Sequence, residues 1–105
     1  MKQWLILLVL TIATVYSQSF QGRTMANGQK YDHSKFTCAH NGYKLGTVLI
    51  VSSGANTVEV TVTDRIPKKN QKYKGEWVID LSGASWKALT DKKPGRLPVK
   101  VAVKK

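Results

Sequence analysis

The sequence contains one cysteine, six acidic residues and no apolar run long enough to cross a bilayer. With Cys38 as its one thiol, the chain can form no internal disulfide bond, and zinc sites built from several cysteines are excluded. Because 17 lysines and arginines outnumber the six acids, the formal net charge is +11. This charge favours polyanionic partners: nucleic acid, anionic lipid headgroups or an acidic cell-wall polymer. A length of 105 residues leaves room for one domain.

The N-terminal residues have the features of a secretory signal peptide. Lys2 precedes an apolar run from Trp4 to Ala13, which only Thr11 interrupts, and small residues follow. We expect residues 1 to 13 to be removed, with Ser17 as the latest cleavage position. The exported part then keeps a charge of about +10, because only one lysine is lost. No cysteine follows the run to carry a lipid anchor, so the mature protein is expected without a membrane anchor, in the periplasm, the cell wall or the extracellular medium.

The remaining chain shows mainly the patterns of β-strands. The segments "GTVLIVSS" (46–53) and "TVEVTVTD" (57–64) are separated by turn residues, and together they predict a hairpin. In the second segment apolar and polar residues alternate, which is the period of a half-buried strand. The apolar face consists of Val58, Val60 and Val62.

Two more strands are predicted at residues 76–81 and 97–105, and one short helix at residues 82–90. Ser82 is a suitable helix N-cap, and a small buried stripe follows it. The stripe is expected to consist of Ala84, Trp86, Ala88 and Leu89. The lysine-rich segment 66–75 reads equally well as a solvated loop or as a contact for a polyanion. A small, mostly-β barrel with one helix is the predicted fold.

The spacing Cys38-x-His40 raises the question of a metal site. A zinc ion needs three or four ligands at compatible spacing, but His33 is isolated and no second cysteine exists. We therefore expect neither a metal nor another cofactor. A thiol nucleophile would need an exposed cysteine with a lowered pKa. Because Cys38 lies in a moderately apolar stretch, a buried and unreactive cysteine is expected instead.

Asp64 is the most informative acidic residue. It continues the apolar face of the strand at 57–64 and therefore lies at the rim of the interior, whereas Arg65 should project the other way. Desolvation at such a rim favours the neutral carboxyl group, which a general acid requires at neutral pH. An aspartate that hydrogen-bonds the backbone of a turn explains the same position equally well.

Asp80 and the turn at residues 26–32 offer weaker signals. Asp80 precedes the predicted helix by two residues, which favours a structural role near the helix N-terminus. Asn27 and Gly28 form a strong turn signal. The side chains of Asn27, Gln29 and Tyr31 could hydrogen-bond to a sugar or stack on it, but an ordinary loop explains them equally well.

Four motifs, in their order and spacing, resemble the rare lipoprotein A family. They are "ATVYSQSFQGRTMANGQKYD" (13–32), "FTCAHNGYKLGTVLIV" (36–51), "VTVTDRIP" (60–67) and "VIDLSGASWKAL" (78–89). The resemblance implies a six-stranded double-psi β-barrel with one or two short helices over residues 14–105. Expansins and barwin-like proteins share this fold. Enzymatic members of the family are lytic transglycosylases that cut the glycan strands of peptidoglycan.

The resemblance also implies site residues. The catalytic aspartate of the family corresponds to Asp64, and its histidine corresponds to His40 in "CAH". The glutamate that often follows "ANG" in the family is Gln29 here. The substrate-binding residues are expected to be Gln29, Asn27, Tyr31 and Arg65.

The leading hypothesis is therefore an exported, monomeric lytic transglycosylase of peptidoglycan, acting in cell-wall remodelling. In this class, the 6-hydroxyl of the sugar closes a 1,6-anhydro ring, so that one residue can serve as both acid and base. Asp64 would take this role, assisted by His40. A non-catalytic, expansin-like module that binds or loosens cell-wall polysaccharide is the alternative, which the replacement of an acid by Gln29 favours. Nucleic-acid binding rests on charge alone, and the export signal argues against it.

Overall fold

The computed structural model describes residues 9–67 and 78–105. Within these residues, six strands close into a barrel in the order β1-β5-β2-β4-β3-β6, which confirms the predicted fold class. The pairs β1–β5 and β2–β4 are parallel and the other neighbours are antiparallel. A short 3₁₀ helix (Gln18–Phe20) and one α-helix, α1 (Gly83–Leu89), complete the elements described. The strands are β1 (Val9–Val15), β2 (Thr37–Ala39), β3 (Val48–Ser53), β4 (Asn56–Asp64), β5 (Val78–Leu81) and β6 (Leu97–Val103).

Alternate residues of the strands fill the barrel interior. On β4 the three valines of the predicted apolar face are buried, and Asp64 ends the strand, both as predicted. Burying each such aliphatic side chain contributes about 1.5–3 kcal/mol. The barrel core includes Leu49, Val51, Val58, Val60, Val62, Ile79, Leu81, Val99 and Val101. This core fixes the strand ends from which the site residues project.

The structure contains the predicted hairpin, formed by β3 and β4. The two strands pair antiparallel from Val48–Thr61 to Ser53–Asn56. In the turn, Gly54 adopts a φ of 58°, a left-handed conformation that glycine enters without strain. The turn chemistry and the alternation of the strand therefore specify the same hairpin.

Helix α1 begins directly after Ser82, the predicted N-cap. The Ser82 side chain accepts a hydrogen bond from the Ser85 N–H. The buried face differs from the predicted stripe. Positions three and four residues apart share one side of a helix, and the buried side carries Gly83, Ser85, Trp86 and Leu89. Ala88 is exposed and Ala84 is only half-buried, so the predicted stripe was wrong at these two positions. A β-carbon at Gly83 would overlap the His33 ring, which packs against this end of the helix.

Strand β1 overlaps the predicted signal peptide. Residues Val9 to Ala13 pair with β6, and residues Ile12 to Val15 pair with β5. A cut after Ala13 would remove Val9 to Ala13, which are five of the seven residues of the strand. Residues 1–8 lie outside the described residues, and cleavage of a signal peptide stays a prediction.

Two other sequence predictions concern residues that lie partly outside the described ones. Most of the lysine-rich segment 66–75, and the first two residues of the strand predicted at 76–81, lie outside the described residues. The described part of that strand is β5. Within residues 9–67 and 78–105, no helix has the length and apolar character that a membrane crossing requires.

Candidate active site

Two carboxylates flank one small residue of strand β2. Ala39 is the register partner of Asp64 on β4 and also of Asp80 on β5. Neighbouring strands lie about 4.8 Å apart, which places the two aspartate Cα atoms about 10 Å from each other. A register shift between Cys38 and Ala39 brings Asp64 to this position, and such irregularities commonly redirect side chains beside active sites.

Both carboxylates line one cleft of about 260 Å³, hereafter the Asp64 cleft. Its walls come from the end of β1, the loop after it, and the ends of β4 and β5. The lining residues are Tyr16, Phe20, Arg23, Thr24, Met25, Tyr31, Asp64, Arg65, Pro67 and Asp80. The cleft thus joins acidic, basic and aromatic side chains at one rim of the barrel.

Three donors hold the Asp64 carboxylate. The Tyr16 hydroxyl donates to Oδ2 at 2.6 Å, and the N–H groups of Ala26 and Arg65 donate to Oδ1 at 2.8 and 2.9 Å. The Arg65 contact is the local backbone bond expected of a turn aspartate. The bonds from Tyr16 and Ala26 come from distant parts of the chain, however, and fix the carboxylate in the cleft. Asp64 is therefore both a turn residue and a pre-oriented site residue.

Tyr16 is a site residue that the sequence analysis did not identify. It directly follows β1, and its ring stacks on that of Tyr31 with centroids 4.3 Å apart and an interplanar angle of 14°. Burial raises the pKa of the Tyr16 phenol far above its usual value, and the hydrogen bond to Asp64 raises it further. Tyr16 therefore remains a neutral donor to the carboxylate at physiological pH.

Asp80 is the second titratable carboxyl group of the cleft. Its Oδ1 accepts a 2.9 Å hydrogen bond from the Thr14 hydroxyl. Burial raises the pKa of Asp80 from 3.8 to about 6, and the charge of Asp64 adds to that rise, whereas the Thr14 bond opposes it. The sequence analysis favoured a structural role at the helix N-terminus, but Ser82 fills the cap position. The raised pKa brings proton exchange at Asp80 close to neutral pH.

His40 is joined to Asp64 by a hydrogen bond between their main chains. Its side chain is buried, and Nδ1 accepts a 2.8 Å hydrogen bond from the Gly42 N–H. Its ring contacts the Tyr43 ring, with centroids 4.6 Å apart. The main-chain N–H of His40 donates a hydrogen bond to the Asp64 carbonyl at 3.2 Å. The main chain of His40 therefore supports the backbone of Asp64, and its ring holds the loop that follows β2.

The Arg65 side chain links the end of β4 to the loop that follows β2. Its guanidinium Nη1 donates to the carbonyl oxygens of His40 and Tyr43, at 2.6 and 2.8 Å. The loop that follows β2 is thereby attached to the end of β4. Arg65 also lines the Asp64 cleft, where it supplies positive charge.

Asn27 and Gln29 belong to a tight turn that packs on β4. Within the turn, the Gln29 N–H donates to Asn27 Oδ1 at 2.9 Å, and the Asn27 amide donates to Gln29 Oε1 at 3.2 Å. The Asn27 N–H donates to the Thr63 carbonyl at 3.1 Å. Gly28 has a φ of 88°, which favours glycine. Gln29 lines a neighbouring cleft of about 330 Å³ and is not among the lining residues of the Asp64 cleft.

Tyr31 is placed behind Tyr16. It is only 1% exposed, and its hydroxyl shares a 2.7 Å hydrogen bond with Nδ1 of His33 and accepts one from the Gly83 N–H. Burial raises the pKa of Tyr31 to about 12. Because one ring face is covered by Tyr16, the stack holds Tyr16 against Asp64.

Cys38 belongs to the barrel core, as predicted. It pairs with Val62 on β4 and Leu81 on β5, and burial raises the pKa of its thiol well above the usual value. It is thus separated from the chemistry that its spacing to His40 suggested. Across residues 9–67 and 78–105, no group of three or more His, Cys, Asp or Glu side chains is placed to hold a metal ion.

Sequence comparison places the chain in a known family. The profile of the lytic transglycolase family matches residues 11–101. The chain is 36% identical over 91 residues to an uncharacterized protein of Synechocystis, ssl3177, with 85% of this chain and 91% of that protein covered. It is 32% identical over 94 residues to the endolytic peptidoglycan transglycosylase RlpA of Campylobacter jejuni. That alignment covers 88% of this chain but 32% of the relative, so the chain spans about a third of its length.

Solved structures show the same fold. The expansin of Clavibacter michiganensis matches with a TM-score of 0.73 and 25% identity, over 94% of this chain and 51% of the expansin. The Streptomyces papain inhibitor matches with a TM-score of 0.72 and 20% identity, over 94% of this chain and 96% of the inhibitor. The barrel is therefore a double-psi β-barrel.

Proposed function

This chain belongs to the lytic transglycolase family, and from that premise we propose that it is an exported glycan lyase that cuts peptidoglycan strands during cell-wall remodelling. The observation that carries the proposal is the Asp64 cleft: a carboxylate held by three donors faces the same space as a second carboxyl group with a raised pKa. A pre-oriented carboxyl group of this kind suits acid–base cleavage of a glycosidic bond, in which one residue can act first as acid and then as base.

The proposed reaction needs one proton donor that later becomes the acceptor. Asp64 starts in its protonated form and gives its proton to the oxygen of the leaving sugar as the bond from that oxygen to the anomeric carbon breaks. The 6-hydroxyl of the remaining sugar then bonds to the same anomeric carbon and loses its proton to Asp64. The products are a strand with a 1,6-anhydro end and a strand with a free hydroxyl, and no water is consumed.

The surroundings of Asp64 support this assignment. Tyr16, Ala26 and Arg65 fix the orientation of its carboxylate before a substrate arrives, which lowers the cost of reaching the transition state. Gln29 cannot titrate, and it is Asp80, with a pKa raised to about 6, that can exchange a proton near neutral pH beside Asp64. His40 acts by positioning, through the main chain of Asp64.

The test uses purified protein and peptide-free glycan strands, and follows the release of soluble fragments. The wild-type chain should release fragments, and Asp64→Asn should lower the rate at least about a hundredfold, which is the scale of a lost general acid. Equal release by the two proteins would contradict the assignment of Asp64.

The alternative is a non-catalytic module that binds or loosens cell-wall polysaccharide. Gln29 favours it, because the residue replaces a glutamate that the family motif often carries, and so does the structural match to an expansin. Sedimentation with isolated cell walls separates the two functions. Binding that persists in both the wild-type and Asp64→Asn proteins, with no fragments released by either, would favour the module.

A further inference from the structure

A second, larger cleft adjoins the Asp64 cleft at Tyr16, which lines both. It measures about 900 Å³ and lies between the residues that follow β1 and the C-terminal part of α1. We call it the Lys87 cleft. Its lining includes hydroxyl and amide groups from Ser17, Gln18 and Thr90, which are suited to sugar hydroxyls.

The sizes of the two clefts indicate how they work together. At about 260 Å³, the Asp64 cleft is smaller than typical ligand sites, which span about 300–1,000 Å³. An enzyme that cuts within a glycan strand must hold sugars on both sides of the bond. The Lys87 cleft meets the Asp64 cleft at Tyr16, whose hydroxyl donates to Asp64. It is therefore placed to receive the part of the glycan strand that lies beyond the glycosidic bond to be cut.

The charge of the Lys87 cleft points to an acidic ligand. Lys87 and Lys92 line it together with one carboxylate, Asp91. Trp86 Nε1 donates to the Lys92 carbonyl at 2.9 Å, and the Lys92 N–H donates to the Thr90 hydroxyl at 3.1 Å, so the main chain of Lys92 is held in place. Among the described residues, neither lysine forms an ion pair. Two cations are thus available on the cleft wall.

We propose that the Lys87 cleft is a subsite for an acidic glycan, in which Lys87 and Lys92 bind a carboxylate of the sugar strand. Every second sugar of a peptide-free peptidoglycan strand carries a carboxylate on an ether-linked side group, whereas cellulose and chitin carry none. The inference rests on the proposed function, because that function identifies the strand in the Asp64 cleft as a peptidoglycan glycan strand. It adds that the charge of the strand, and not its hydroxyl groups alone, decides which polysaccharide is bound.

The experiment measures binding in the Asp64→Asn protein, so that no turnover interferes. One probe is a peptide-free glycan fragment with its carboxylates intact, and the other is the same fragment with the carboxyl groups converted to methyl esters. In the Asp64→Asn background, Lys87→Ala combined with Lys92→Ala should raise the Kd of the acidic fragment about fivefold. The Kd of the esterified fragment should change by less than about twofold.

The matched control removes two lysines elsewhere. Lys100→Ala combined with Lys105→Ala changes the net charge equally, at exposed positions that do not line the Lys87 cleft. It should leave both Kd values nearly unchanged. Equal weakening by the two double variants, equal weakening of both fragments, or no binding of the acidic fragment at all would overturn the proposal.

The outcome is separable from that of the proposed function. If the chain cuts no strands but the acidic fragment still binds through Lys87 and Lys92, the subsite stands and the lyase assignment fails. If strands are cut normally by the Lys87→Ala, Lys92→Ala protein, and esterification does not affect binding, the lyase stands and the subsite fails.

Discussion

The Tyr16 hydroxyl donates a 2.6 Å hydrogen bond to Oδ2 of Asp64, which lies 48 residues further along the chain. The bond joins the end of β1 to the end of β4, two strands that are not neighbours in the barrel. Stacking on Tyr31 fixes the ring that makes it. The orientation of the proposed catalytic carboxylate therefore depends on an aromatic pair as well as on its own strand.

Replacing Tyr16 by phenylalanine tests this dependence. Tyr16→Phe keeps the stacked ring but removes one of the three donors to Asp64, so we expect the rate of strand cleavage to fall about tenfold. A hydrogen bond to a charged group contributes about 1.5–3 kcal/mol, so some loss of stability is expected as well. Initial rates at a temperature where both proteins are folded provide the measurement.

Tyr31→Phe is the matched control. It also removes one buried hydroxyl and keeps the ring stack, but the lost contacts involve His33 and Gly83 and not Asp64. We expect a rate within about twofold of the wild type, together with a similar loss of stability. Equal losses of rate in the two variants would contradict a specific role for the Tyr16 hydroxyl.

Asp80 should make stability depend on pH. Its folded-state pKa is raised from 3.8 to about 6, so folding favours the protonated form. The stabilisation from this group is fully present below about pH 4 and is lost as the pH rises through about 6. Asp80→Asn should therefore raise the free energy of unfolding, relative to wild type, by about 2 kcal/mol more at pH 7.5 than at pH 4. Urea unfolding of both proteins at the two pH values measures this. The same difference in free energy of unfolding between the variant and the wild type at both pH values would contradict the prediction.

Cys38 and His40 should behave differently although they are two residues apart. Cys38→Ala leaves a small cavity in the barrel core, so we expect a loss of about 1–2 kcal/mol in stability and unchanged cleavage by the folded protein. His40→Ala keeps the main-chain N–H that bonds to Asp64, but it leaves the Gly42 N–H without its acceptor and empties the space of a buried ring. The loop that Arg65 attaches to the end of β4 should then loosen, so cleavage should fall about tenfold. Rates normalised to the folded fraction provide the comparison. Equal losses would instead indicate one joint site at the two residues.

Strand β1 should be essential for folding. A chain that begins at Val9 retains the pairs with both β5 and β6, whereas a chain that begins at Thr14 lacks every residue that pairs with β6. We expect the first to give a cooperative thermal transition by circular dichroism and the second to give none. A cooperative transition in the shorter chain would show that the barrel tolerates a cut after Ala13.

The elements that were predicted from sequence are those with a local pattern. The alternation of Val58, Val60 and Val62 placed β4 and its rim residue Asp64, and Ser82 marked the start of α1. Strand β2 has only three residues, which is too short for any periodicity to be visible. The exposure of Ala88 depends on which side of a short helix meets the barrel, and the helical pattern alone did not decide this.

The site was less predictable than the fold because its contacts are long-range. From sequence, Asp80 is predicted to be a structural residue near a helix N-terminus. Only the register of β2 shows that Asp80 and Asp64 lie on either side of Ala39. The residues before Tyr16 have the pattern of a signal peptide, and no local pattern reports the bond from Tyr16 to Asp64. The family motifs named Asp64 and His40, while the partners that orient them required the three-dimensional structure.

The measurement that tests the central proposal most directly is mass spectrometry of peptide-free glycan strands digested in water enriched in heavy oxygen. A lytic transglycosylase closes the ring with the sugar's own 6-hydroxyl, so the new ends should be lighter than hydrolysed ends by one water and should carry no heavy oxygen. Asp64→Asn should produce no such ends above background. New ends that carry heavy oxygen, or anhydro ends formed equally by Asp64→Asn, would contradict the account.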